Sequence, residues 1–234
     1  MKPEKPNLNY LLALAISLCI IPSLLMIGMV TARQSIAETT TAYKGDVWVD
    51  NWFKLYLNGE ELIEDSVSIT TERSFNKESF TFEAKKPFVL AFEFKDFMEN
   101  ATGLEYIGSR RQQMGDGGAI AQIYDASNNS LIAATNKAMK CFVVQKAPLN
   151  KSCAQESDPR VGQAPCTQEI NDVDANWRAL DFDDSDWANA IEYSERAVSP
   201  KHGYDQVSWA PSAKLIWGSD LEQDNILYCR LKVE

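Results

Sequence analysis

After residue 40 the apolar side chains recur at every second position, and no stretch sustains the three-to-four-residue spacing of a helix. That pattern restricts the chain to strands with one face inward. Residues 46–57 read as a strand ending in the turn Asn58-Gly59. Residues 66–71 and 79–83 read as short strands, and 87–95 as an apolar, aromatic one. Residues 118–124 and 130–134 flank Asn128-Asn129 as a hairpin, and 139–145 form a further strand. The closing strand, 226–233, sets Leu227, Cys229, Leu231 and Val233 against Tyr228, Arg230 and Lys232. A turn of helix is expected within 183–193. Many short strands between turn signals predict an all-β sandwich or jelly roll, with no internal repeat.

The N-terminal residues have a different character. Lys2 and Lys5 precede Leu11–Val30, twenty positions without a charge, and the small-residue exits Val30-Thr31-Ala32 and Ser35-Ile36-Ala37 follow. This is the order of an export signal, residues 1–37. Twenty apolar positions also reach the length of a bilayer span, so residues 11–30 can equally be a retained anchor helix. In both readings the domain, residues 38–234, is delivered outside the cytoplasm and meets the membrane only through the N-terminal segment. Cys19 lacks the small residue before it that a lipid-attachment cysteine needs. The chain of 234 residues carries a net charge of −10. Lys2, Lys5, Arg33 and Glu4 give residues 1–37 a charge of +2, leaving −12 on the rest. Such a surface repels phosphate backbones and excludes nucleic acid as a partner.

Cys141, Cys153, Cys166 and Cys229 form an even set in an exported domain, which implies two disulfides in one of three connectivities. A bridge between Cys153 and Cys166 would tie the proline-bearing loop 146–177. Cys141 and Cys229 would then pair between strands. Zinc is disfavoured because there is no C-x-x-C pair and only one histidine, His202. The sequons at Asn100, Asn128 and Asn150 fall in expected loops.

Two stretches carry a resemblance when taken together. Val49-Asp50-Asn51-Trp52-Phe53-Lys54-Leu55-Tyr56-Leu57-Asn58-Gly59 is the first. The second is Trp177, then Phe182-Asp183-Asp184-Ser185-Asp186-Trp187-Ala188-Asn189-Ala190, a late Ile216-Trp217 and a final strand. In this order they resemble the galactose-binding-like jelly-roll β-sandwich, found as the sugar-binding accessory domain of family 2 glycoside hydrolases. The resemblance implies a non-catalytic module that binds carbohydrate or another cell-surface polymer through loops at one end of the sandwich. It also implies that a structural calcium near Asp183 and Asp184 would be in keeping with the fold, with no other cofactor. A membrane-anchored domain that recognises a protein partner is the alternative, and a glycoside-processing enzyme the weaker one.

The candidate contact residues follow from side-chain chemistry. Residues 110–118, Arg-Arg-Gln-Gln-Met-Gly-Asp-Gly-Gly, form a polar glycine-rich loop in which Arg110, Arg111 and Asp116 can meet a hydroxyl-rich or anionic ligand. The competing reading is a flexible connection whose glycines permit positive φ. Glu105 and Tyr106 lie just upstream. Of six tryptophans, Trp209 sits in the most loop-like sequence and is the expected stacking platform. The carboxylates of 181–186 are too close in sequence to flank a glycosidic bond, so no catalytic residue is assigned. His202 has no serine in a nucleophile-elbow setting to serve.

Overall fold

The computed structural model describes residues 39–71, 73 and 75–234. The export or anchor segment, residues 1–37, lies outside the described residues. No helix among the described residues is long and apolar enough to cross a membrane.

Fifteen strands are described. The first five are β1 (Thr41–Asp50), β2 (Trp52–Leu57), β3 (Glu60–Glu64), β4 (Asn76–Ala84) and β5 (Phe88–Lys95). A small hairpin, β6 (Leu104–Glu105) with β7 (Gln113–Met114), leads to β8 (Gly118–Asp125), β9 (Leu131–Ala134) and β10 (Lys140–Lys146). Short pieces follow: β11 (Glu169–Ile170), β12 (Ala188–Asn189), β13 (Ile191–Tyr193) and β14 (Leu215–Trp217). The last strand is β15 (Asp224–Val233). One antiparallel sheet runs β13-β14-β8-β1-β4, with β9 also on β8. The other runs β11-β10-β15-β5-β2-β3, with β12 also on β10.

The two sheets bury one core between them. Val47 and Val49 enter it from the first sheet, and Phe53, Leu55, Phe88, Leu90, Phe92 and Phe94 from the second. Each sheet is also covered over part of its outer face. Trp48, Ile120 and Leu215 pack outward against Val198, Tyr204 and Ala213. Tyr56 and Ala91 pack outward against Trp177 and Trp187. Hence β5 is buried on both faces, which explains its unbroken apolar run.

Several sequence expectations change. Residues 46–57 are two strands, not one: the chain passes from the first sheet to the second at Asn51, which is buried. The odd positions on both sides of this corner face the same core, so alternation runs through it without a break. Residues 66–71 are not a strand. Asp65 Oδ1 accepts the Val67 amide at 2.8 Å, an Asx turn that competes with strand pairing. The helical turn falls later than 183–193, at α1 (Glu195–Val198), where Ser194 Oγ accepts the Ala197 amide. The Asn58-Gly59 hairpin is as expected, with φ of 50° and 100°.

Both disulfides form: Cys141 with Cys229 and Cys153 with Cys166. Cys141 and Cys229 sit opposite each other across β10 and β15. Cys153–Cys166 closes a buried cluster with Leu104 under the β6–β7 hairpin. Asn100, Asn128 and Asn150 are all exposed.

An acid-lined end of the sandwich as candidate functional site

Three strand ends meet at one edge of the sandwich and bring three distant aspartates together. Asp50 ends β1, Asp96 follows β5, and Asp116 precedes β8. The pairing of Asp50 with Gly118 across β1 and β8 sets the first and third side by side. The bonds Asn51 N–H to Lys95 O (2.9 Å), Asp96 N–H to Asn225 O (2.9 Å) and Phe97 N–H to Asn51 Oδ1 (2.6 Å) fix the second against them. One carboxylate oxygen from each of the three lies within 4.8 Å of the others.

The glycines around Asp116 serve close approach rather than positive φ. A Cβ on Gly115 would stand 1.7 Å from Asp96 Oδ2, and one on Gly117 would stand 2.3 Å from the Trp217 ring. Neither position has positive φ. The loop therefore presses its bare backbone onto Asp96 and Trp217, and Asp116 between them is held at the cleft wall.

Charge at this edge is unbalanced. Lys201 Nζ lies 3.1 Å from Asp116 Oδ2 and 3.5 Å from Asp50 Oδ2, over the Phe75 ring. Burial, then repulsion from Asp116, holds the Asp50 carboxyl well above the usual range, with Lys201 opposing. Burial likewise holds the Asp96 carboxyl well above the usual range, reinforced by Asp50, Glu105 and Asp116. The Phe97 amide, already committed to Asn51, offers Asp96 little in return. Burial alone would lower Lys201, but Asp50 and Asp116 together raise it. No donor is placed to hydrogen-bond Asp50 Oδ1 or either oxygen of Asp96.

Two clefts adjoin Asp116. The smaller, about 170 Å³, is lined by Phe75, Glu105, Tyr106, Gln113, Asp116 and Lys201, with Arg73 at its rim. The larger, about 750 Å³, lies between β7, the 3-10 turn of residues 151–155, α1 and the 219–222 turn. Gln112, Gln113, Asp116, Ser219, Asp220 and Glu222 supply its polar groups, and Met114, Tyr193 and Leu221 its apolar ones. Another cleft of about 370 Å³ lies over β1 and β8. There Asp46 already accepts from Ser79 and Gln122, so it lacks a set of buried carboxylate oxygens without donors.

Of the four expected contact residues, Asp116 alone lines the two end clefts. Arg111 lays its guanidinium over the Tyr106 ring at 3.7 Å, and Arg110 projects to solvent. Trp209 is half-buried, donates to Tyr204 O at 3.2 Å and packs on the Tyr204 ring outside the first sheet. Nor is Asp184 set for calcium. Its oxygens receive Arg230 Nε at 2.8 Å and Lys232 Nζ at 3.0 Å, which hold its pKa down despite burial. Asp183 is exposed and accepts the Ser185 amide at 3.0 Å. His202 is exposed, and its carbonyl receives Trp48 Nε1 at 2.9 Å.

Asp50, Asp96 and Lys201 were not singled out from sequence. The one available signal was an aspartate directly after an apolar strand in both 46–50 and 88–96, where the chain leaves a sheet. Comparison with protein-family models, with curated proteins and with solved structures finds no match to this chain.

Proposed function

We propose that this chain is an exported, non-catalytic recognition module of the galactose-binding-like jelly-roll type, which binds hydroxyl-rich carbohydrate at the acid-lined end of its sandwich. The observation that carries this reading is the 750 Å³ cleft beside Asp116. It is walled by connections and strand ends, the parts of a sandwich that vary without disturbing its core. Its size falls in the ordinary range for small-ligand sites. Its polar lining carries the carboxylates Asp116, Asp220 and Glu222, paired with Lys201 and Lys151, and the amide of Gln113. Carboxylates and an amide call for a ligand rich in hydroxyl donors and free of negative charge. Sugar hydroxyls meet both needs, whereas phosphate and sulfate groups would be repelled. Met114, Tyr193 and Leu221 add apolar surface for the C–H face of a pyranose.

The anchored or secreted state of the chain does not alter this reading, because the cleft belongs to residues 38–234. Glycan-array screening of the full-length chain is expected to return neutral oligosaccharides. Gln113→Ala, which removes a lining donor and acceptor, is expected to weaken the best of them about tenfold, the worth of one good hydrogen bond. Absence of binding to every glycan, together with capture of one defined protein partner, would overturn the proposal in favour of a protein-interaction domain.

A further inference from the structure

We infer that Asp50, Asp96 and Asp116 form a divalent-cation site, with calcium as the fitting ion. Three carboxylates in one place do not make a site, and the second observation here is Asp96. It is 1% exposed, it points into the cluster, and neither of its oxygens has a hydrogen-bond donor. Asp50 repeats the pattern: it is fully buried and its Oδ1 lacks a donor. An ionised carboxylate buried without a partner is among the costliest arrangements in a protein. Such a group is either kept protonated or held against a cation.

Lys201 meets only part of this demand. Its ammonium pairs with Asp50 and Asp116 and makes no ion pair with Asp96. Around a bound ion the three carboxylates ionise, and a divalent cation supplies the two positive charges that the one ammonium leaves unmet. The donors are all hard oxygens, which suit calcium or magnesium and not zinc or copper. Oxygens within 4.8 Å of one another can share a coordination sphere of about 2.4 Å radius. Calcium accepts such an irregular set, whereas magnesium demands near-octahedral ligands at about 2.1 Å. The side chain of Asp116 is 39% exposed and lines both end clefts, so the ion has a path in and water or a ligand can complete its shell. The inference stands on the carboxylates alone and holds whether or not the larger cleft binds a glycan.

The test is calorimetric titration of the purified, chelator-stripped full-length chain with calcium chloride, with no glycan present. One calcium per chain is expected, with a Kd on the order of 10⁻⁴ M or tighter, and a higher midpoint of thermal unfolding in calcium. Asp96→Asn is expected to fold, because it removes an unpartnered charge, and to weaken calcium binding at least about tenfold. Lys201→Met removes the competing ammonium and is expected to tighten binding severalfold. A purely structural Lys201 would leave calcium affinity unchanged or lower it. If neither the wild-type chain nor Lys201→Met takes up calcium at about 1 mM, the site is refuted. If magnesium binds as tightly as calcium, the assignment of the ion is refuted.

Discussion

Among single residues, position in the fold decides what a carboxylate does. The densest acidic run, 181–186, draws the eye in sequence, yet its one buried member, Asp184, is spent on Arg230 and Lys232. Arg230 also donates to the carbonyls of Trp177, Ala179 and Phe182, so this pair fastens the outer covering to β15. Asp96, with no donor on either oxygen, and Asp50, with none on Oδ1, are lone acids scores of residues apart. Only the antiparallel register joins them, and no local pattern encodes it. Asp65 offers a measurable case of the same physics. It is buried after β3, and desolvation, with Glu78 and Glu64 nearby, pushes its pKa up to about 7. The Val67 amide and, weakly, the Asn76 side chain oppose the rise. A folded pKa above the ordinary 3.8 means that the protonated form stabilises the fold. That contribution is whole below pH 4 and is lost as pH climbs through about 7. Asp65→Asn keeps the acceptor for Val67 and removes the charge. The variant should gain stability relative to wild type steadily from about pH 4 to about pH 7 and level off above it, read from urea midpoints. A constant difference across that window would contradict the assignment.

At the scale of elements, strands were legible where one face is buried and turns where backbone conformation demands a residue type. The Asn58-Gly59 hairpin, β5, β8 with β9, β10 and β15 all follow from period and turn chemistry. The corner at Asn51 was not legible, because Val47, Val49, Phe53 and Leu55 keep one phase across two sheets. The cysteines were legible for another reason. The short spacing of Cys153 and Cys166 and the placement of Cys141 and Cys229 on apolar runs fit one pairing, and the folded chain adopts it. The local bridge has a role at the end cleft. Cys153 sits in the 3-10 turn of residues 151–155, whose Ala154 and Gln155 line the larger cleft, and Ala154 O and Glu156 O receive Gln112 Nε2. Opening it frees a loop spanned by a sequence separation of 13. In the chain-entropy account a loop of that size is worth about 3 kcal/mol. Cys153→Ser with Cys166→Ser should therefore lower unfolding stability by about 3 kcal/mol, measured by guanidinium titration under non-reducing conditions. A loss under about 1 kcal/mol would show that hydrogen bonds and packing around Leu104 hold the loop without the bridge.

The described residues form a four-layer arrangement in which each sheet is covered over part of its outer face, while the alternately exposed positions of β4 leave the rest of the first sheet to water. Chain segments with little regular structure form the outer layers: 171–187 over the second sheet and 195–213 over the first. Alternation alone reports one buried face per strand, so Val47-Trp48-Val49 at the end of β1 and the unbroken apolar run of β5 were the sign that covers exist. What the covers consist of was not readable, since they have no period of their own. This organisation has a consequence for unfolding. Lifting the cover of residues 171–187 would expose Trp177, Trp187, Tyr56 and Ala91, and would strip Arg230 of its carbonyl partners. Losing one buried tryptophan contact set costs roughly 3–5 kcal/mol, and a buried ion pair deprived of a partner a similar amount. Together these approach the total stability of an ordinary domain, about 5–15 kcal/mol, so the covers cannot leave while the sheets persist. Denaturant unfolding with both disulfides intact should therefore be a single transition. Tryptophan fluorescence, to which the covers contribute Trp177, Trp187 and Trp209 and the strands Trp48, Trp52 and Trp217, should share its midpoint with far-ultraviolet circular dichroism, which reports the sheets. A fluorescence transition at distinctly lower denaturant would show that the outer layers melt first and that the two-sheet core stands without them.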